Sequence, residues 1–315
     1  MKKFIISFIF PAFVFSLQAQ NSIESNNQFG FDFYQKIKSN SNFVFSPASI
    51  NSAFAMTYNG AAGNTFNEMA QVFHFNKDLS EFNTNYKNLF TINEKQKDFQ
   101  FHNANSLWIQ EGMNIQTNFL DVNKTYYEAS LNMLDFIENA EKSRITINDW
   151  VSKKTHNKIN DLLSPSSIDN ATRLVLVNAL YFKGSWKTQF KKELNTKEKF
   201  QVAKRDYIET DFMNASINTS YYQDKYAEIV DIPYSNDDYS LMLIVPKCYR
   251  KFKKLEKKLN LEFYNSFIAQ KEKKRVKLSI PKFNVKSDYD LGETLVKMGL
   301  KDAFTANADF SGITE

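Results

Sequence analysis

The run Thr172 to Trp186, TRLVLVNALYFKGSW, constrains the fold most, because a single amide stands in the middle of an otherwise apolar strand. Leu174, Val175, Leu176 and Val177 precede Asn178, and Ala179, Leu180, Tyr181 and Phe182 follow it, without the alternation of a strand that has one wet face. Such a run reads as a strand covered on both faces. A buried amide without partners costs roughly 1–3 kcal/mol, so Asn178 must meet polar groups brought in from elsewhere in the chain. The strand taken alone leaves two readings open: a special role for Asn178, or an amide that merely satisfies a neighbouring backbone group.

Composition narrows the setting. A chain of 315 residues with 43% hydrophobic content can bury a continuous core, and 30 Phe and 15 Tyr against 8 Gly and 6 Pro favour long regular elements over tight turns. The first nineteen residues stand apart: Lys2 and Lys3, an apolar stretch from Phe4 to Phe15, then Ser16-Leu17-Gln18-Ala19. This pattern predicts a secretory signal peptide, residues 1–19, cleaved near Ala19, and therefore a secreted product, extracellular or periplasmic. The apolar stretch is too short for a membrane anchor, and no later segment approaches spanning length. Removing the leader's two lysines takes the net charge from +5 to 5 − 2 = +3, too small to suggest nucleic acid as a partner. The clusters Lys247 to Lys258 and Lys271 to Lys277 are basic; in the first, Phe252, Leu255 and Leu259 fall at helical spacing, which predicts a solvated outer face. Cys248 is alone, so no intrachain disulfide forms and stability rests on packing.

Periodicity predicts helices over 29–37, from Pro47 with Ser46 as N-cap, over 66–73, 82–96, 119–129 and 145–159, two short ones between 252 and 270, and one over 289–299. Strands are predicted over 99–110, 131–136 and 174–182, in a hairpin turning at Ser235-Asn236-Asp237-Asp238, and in KRVKLSIPKF. Helices dominate early and strands late, which is an α+β arrangement; no repeat or linker divides residues 20–315, so they form a single domain. Enzymatic motifs are weak. Ser279-Ile280-Pro281-Lys282 matches a serine–lysine spacing but sits in a strand pattern, where the lysine cannot fold back on the hydroxyl, and no metal or cofactor signature is found.

The segments NFVFSPASI (42–50), THNKINDLLSPSSI (155–168), LVLVNALYFKGSW (174–186), IVDIPY with YSLMLIVPK, VKLSIPKFNV (276–285) and YDLGETLVKMGLKDAF through ADFSGI (289–313) together resemble the serpin family over nearly the whole chain after the leader. The resemblance implies a large central mixed and antiparallel sheet, two smaller sheets and about eight or nine helices. It implies a serine-type endopeptidase inhibitor, not an enzyme, whose bait loop is cut and then inserts as a new strand, with a serine protease as partner and a cysteine protease second. On the same basis Ser46, Ser49 and Asn178 match the polar cluster beneath the point where the central sheet parts, and Trp186 matches the aromatic at the insertion end. No catalytic residue, metal or cofactor is implied.

The sequence departs from the family pattern in stopping at Glu315, before the reactive loop and the last strands. The expectation is an incomplete scaffold whose exposed sheet edge promotes self-association. A non-inhibitory serpin-like binding protein, or an inactive remnant, is the alternative to an inhibitor. None of His74, His102 or His156 matches the histidine with which the family completes the polar cluster.

Overall fold

In the computed structural model, residues 6–11, 17–37, 42–89, 98–203, 205–287 and 289–314 are described. In chain order the elements are β1 (Ile6–Pro11), α1 (Leu17–Lys36), α2 (Pro47–Tyr58), α3 (Gly63–Phe73), α4 (Leu79–Leu89), β2 (Phe99–Gln110), α5 (Thr117–Tyr127), β3 (Ser130–Leu134), α6 (Phe136–Lys154) and β4 (Leu174–Gly184). There follow β5 (Thr196–Ala203), β6 (Asp206–Gln223), β7 (Ala227–Pro233), β8 (Tyr239–Pro246), α7 (Tyr249–Glu256), α8 (Leu261–Gln270), β9 (Glu272–Pro281) and α9 (Gly292–Met298). Nine α-helices among the described residues surround mixed sheets, as the sequence pattern of early helices and late strands implies.

One sheet has the order β3-β2-β4, with β2 parallel to β3 and antiparallel to β4 over Phe99–Ile109 against Leu174–Gly184. The other runs β1-β8-β7-β6-β5, with β9 also pairing β6. The eighteen residues of β6 pair β5 over 206–212, β9 over 212–221 and β7 over 221–223, so one long strand links these partners in a single sheet.

The two faces of the β2–β4 pair are covered by different layers. Odd-numbered residues of β4, Val175, Val177 and Ala179, pack with Trp108, Phe136, Ile147 and Val151, so α6 lies across that face. Leu174 and Leu176 point the other way, into a core built on Phe29, Met56, Tyr58, Phe73 and Leu107. Period-two alternation in the strand thus feeds two cores at once, which is why the sequence reads as uninterrupted hydrophobicity.

The structure differs from the sequence reading in three places, the burial of Asn178 and the starts of two helices, and some expectations fall outside the described residues. The strand through Asn178 has both faces covered but its far edge open: β4 ends the sheet, and among the described residues only β2 pairs with it. Its residues are therefore mostly half-buried, Asn178 included. The first helix begins at Leu17, twelve residues before the predicted start at Phe29, because no Pro or Gly interrupts Leu17 to Gln28; the cleavage position expected near Ala19 lies in its first turn. Helix α6 starts at Phe136 instead of Ile145, capped by Asp135, whose carboxylate accepts from the Glu138 backbone N–H at 3.0 Å, and it bends at Asn139. In the fourth helix, 90–96 of the predicted 82–96 span lie outside the described residues, as do 1–5 and 12–16 of the expected leader. Residues Ile6–Pro11 of that leader form the edge strand β1, antiparallel to β8.

Candidate functional site

The sequence Ser46-Pro47 fixes the start of α2 beneath β4. Pro47 takes the first helical turn, where its missing N–H costs nothing, and the Ser46 side chain accepts from the Ser49 N–H at 3.1 Å. The capped turn aims the Ser49 hydroxyl at β4, where it donates a short hydrogen bond to Asn178 Oδ1. The Asn178 amide nitrogen then donates to Asn103 Oδ1 at 2.5 Å and Asn105 Oδ1 at 2.8 Å, both on β2. Asn105 stands directly opposite Asn178 in the antiparallel register, and Asn103 sits diagonally, within reach of a side chain that shares its face.

The network continues inward. Asn105, 4% exposed, donates to the Tyr127 carbonyl at 2.7 Å. The Tyr127 hydroxyl donates to Asn83 Oδ1 at 2.6 Å and accepts from Asn59 Nδ2 at 3.1 Å, while Asn83 Nδ2 returns to Asn59 Oδ1 at 2.8 Å. Nearby, the Tyr86 hydroxyl donates a short bond to the Ser52 hydroxyl, which itself donates to the Ala48 carbonyl at 2.8 Å. Burial pushes the phenols of Tyr86 and Tyr127 well above their ordinary value, so both remain neutral donors at any physiological pH. A chain of amides and hydroxyls therefore connects the open strand β4 to α2, α4 and α5. These groups order and hold; they supply neither a nucleophile–base pair nor a metal cradle.

Of the residues expected to act together, Ser49 and Asn178 touch. Ser46 acts one step back, by holding the helix turn that carries Ser49. Trp186 does not join them: it lies beyond the far end of β4, stacked on Tyr234 with ring centroids 4.6 Å apart and planes 10° apart, and edge-on to Phe190. Gly184 permits that packing, since a Cβ there would come within 2.8 Å of the Tyr234 ring. Along β4 the rise of about 3.3 Å per residue puts Trp186 on the order of 25 Å from Asn178. The polar network and the aromatic anchor thus bracket one half of the open edge.

Asn103, Asn105 and Tyr127 were not anticipated. The signal was present as Asn103-Ala104-Asn105, two amides at period two inside a strand, which places both on one face. Ser279 and Lys282 fall in and just after β9, the strand setting expected for them, and the Lys282 N–H donates to the Asp211 carbonyl.

A family model described as "Serpin (serine protease inhibitor)" matches residues 24–315. Serpin B6 of Macaca fascicularis is 35% identical over 302 residues, 93% of this chain and 80% of that protein. The structure of ovalbumin from emu, Dromaius novaehollandiae, superposes with a TM-score of 0.89 at 25% identity, covering 93% of this chain and 81% of that one. A structure described as cleaved serpin 42Da superposes with a TM-score of 0.88 at 25% identity, covering 94% and 81%.

Proposed function

The chain belongs to the serpin family, and from that premise we propose that it is the scaffold of a secreted inhibitor of serine-type endopeptidases, with cysteine proteases as a secondary target class. The observation that carries the reading is the edge of β4: eleven residues with apolar cover on both faces and, among the described residues, no partner on the outer side. A covered strand with a free edge offers a full ladder of backbone donors and acceptors to an incoming strand, while the layers that will bury its side chains are already in place.

In this reading a protease cuts a bait segment, which the family pattern places after ADFSGI, and the released segment adds to β4. The Ser49–Asn178–Asn103–Asn105 network ties β4 to β2 and α2 at mid-strand and regulates how readily the edge accepts an addition. Its bonds join elements from three parts of the chain, so they break together when those elements shift. Export, read from Lys2, Lys3 and the apolar stretch behind them, places the inhibitor where extracellular proteases act.

The test is incubation of the full-length protein with a panel of serine and cysteine proteases. A protease-sized increase in mass that survives boiling in detergent supports inhibition by insertion; cleavage without an adduct refutes it. The non-inhibitory reading is favoured by the likeness to emu ovalbumin, which is as close in fold as that to a cleaved serpin. It predicts clean cleavage and no gain in thermal stability afterwards. N-terminal sequencing of exported protein tests the leader, with a start near Gln20 expected.

A further inference from the structure

On the α6 face of the sheet, away from the polar network, two of the chain's histidines meet. His102 of β2 stands opposite Tyr181 of β4 in register, and their rings stack with centroids 5.9 Å apart and planes at 24°. His156 lies just past the end of α6, 4.7 Å from the Tyr181 ring and 5.3 Å from the His102 ring. Neither imidazole makes a hydrogen bond among the described residues, so the ring nitrogens carry no competing obligation within the protein.

The segment that holds His156 is built under strain. His156 and Asn157 both have positive φ, 51° and 58°, a region that costs a non-glycine residue on the order of 1 kcal/mol or more. Side chains over-determine that turn. The buried Thr155 hydroxyl donates to the Val151 carbonyl at 2.8 Å and accepts from the Ile159 N–H at 3.1 Å, and the Asn157 N–H donates to the Ser152 carbonyl at 2.8 Å. Two successive left-handed residues thus aim an imidazole at the sheet from a fixed position.

We propose that His102 and His156 form a two-imidazole binding site for a late first-row divalent metal ion such as Zn(II), Ni(II) or Cu(II), which fastens the segment after α6 to β2. The spacing supports it. With metal–nitrogen bonds of about 2.0–2.1 Å, a metal lies about 3.2 Å from each ring centroid, and a tetrahedral angle between two such ligands separates the centroids by about 5.2 Å. The rings stand 5.3 Å apart. Imidazole is the ligand these ions share. Tyr181 forms the floor, and water completes the coordination, since no third His, Cys, Asp or Glu among the described residues joins the pair. The half-exposed position gives the ion a direct path from solvent.

The experiment titrates the full chain with Zn(II) and, separately, with Cu(II), by calorimetry and by electron paramagnetic resonance of the copper form. One ion per chain is expected, with nitrogen couplings from two imidazoles. His102→Gln and His156→Asn should each weaken binding at least about tenfold and reduce the couplings to one nitrogen. Asparagine tolerates positive φ, so the second variant keeps the turn, and melting in chelator checks that both variants fold. His74→Asn is the control and should bind as the parent does, because His74 is engaged with Asp32 at 2.8 Å. Absence of protein-bound copper at millimolar concentration overturns the proposal, as does undiminished affinity in both variants.

Discussion

Asn178→Ala removes the side chain through which, among the described residues, β4, β2 and α2 share hydrogen bonds. Three bonds go with it: that from the Ser49 hydroxyl and those to Asn103 Oδ1 and Asn105 Oδ1. A net hydrogen bond contributes about 0.5–1.5 kcal/mol, and a buried group left without a partner costs about 1–3 kcal/mol. Asn105 is buried and pays most of that penalty, whereas Asn178 sits half-buried beside the open edge, where water can enter the space the amide leaves. The expected loss is therefore about 2.5–3 kcal/mol, at the lower end of the summed range, and a fall in Tm of roughly 4–5 °C for a domain of this size. Urea unfolding followed by circular dichroism measures the loss. A double-mutant cycle with Ser49→Ala should return a coupling of about 0.5–2 kcal/mol, since the two side chains are in contact. A loss under about 0.5 kcal/mol, or strict additivity of the two variants, would refute the idea that the network holds β4 in place.

Four further outcomes are expected. Ser46→Ala removes the cap of α2 and should cost about 1 kcal/mol by urea unfolding, with part of that loss shared with Asn178→Ala because Ser46 positions Ser49. Gly60→Ala places a Cβ 2.2 Å from the side chain of Ile313 and should destabilise by about 1–3 kcal/mol, read as a lowered midpoint with unchanged slope. Trp186→Ala should cost about 1–2 kcal/mol and bring the Tyr234 phenol, now pushed up to about 12 by burial, closer to its ordinary value of 10, as followed by tyrosinate absorbance. In alkali, burial raises Tyr234 and Tyr264 to about 12 in the folded state, with Asp231 adding to the rise at Tyr264, so the unfolded chain ionises first: stability is complete below pH 10 and falls as pH climbs toward 12. Tyrosinate absorbance and loss of ellipticity should then rise together, and reversible ionisation near pH 10 without unfolding would contradict this.

Much of the architecture was legible because the signals are local. Phe99–Gln110 has the predicted strand bounds, the Ser235–Asp238 turn joins β7 to β8, and Ser46 caps α2. In the first basic cluster Leu255 gives α7 a buried side, as its helical spacing implied, and the buried Leu259 follows just after the helix. What was missed depended on partners. An apolar run shows that both faces of β4 are covered; its free edge was expected only through the family resemblance, since pairing is made by backbone groups that every residue shares. Asn178 could be singled out as an amide in need of partners, yet Asn103 and Asn105 become those partners only through the register of β2 against β4. The early starts of α1 and α6 were hidden for another reason: their first turns are polar or irregular, and propensity without an apolar stripe is a weak cue. The pairing of His102 with His156 joins residues 54 positions apart through one left-handed turn, which no periodicity foretells.

Hydrogen exchange along Leu174–Gly184 bears most directly on whether β4 offers a usable edge. With the protein alone, alternate amides of β4, those not bonded to β2, should exchange quickly although the strand lies between two apolar layers. An added extended peptide of small, unbranched residues should protect those same amides and raise the melting temperature. Amides already protected throughout β4 without peptide, or an exchange pattern that the peptide leaves unchanged, would contradict the account.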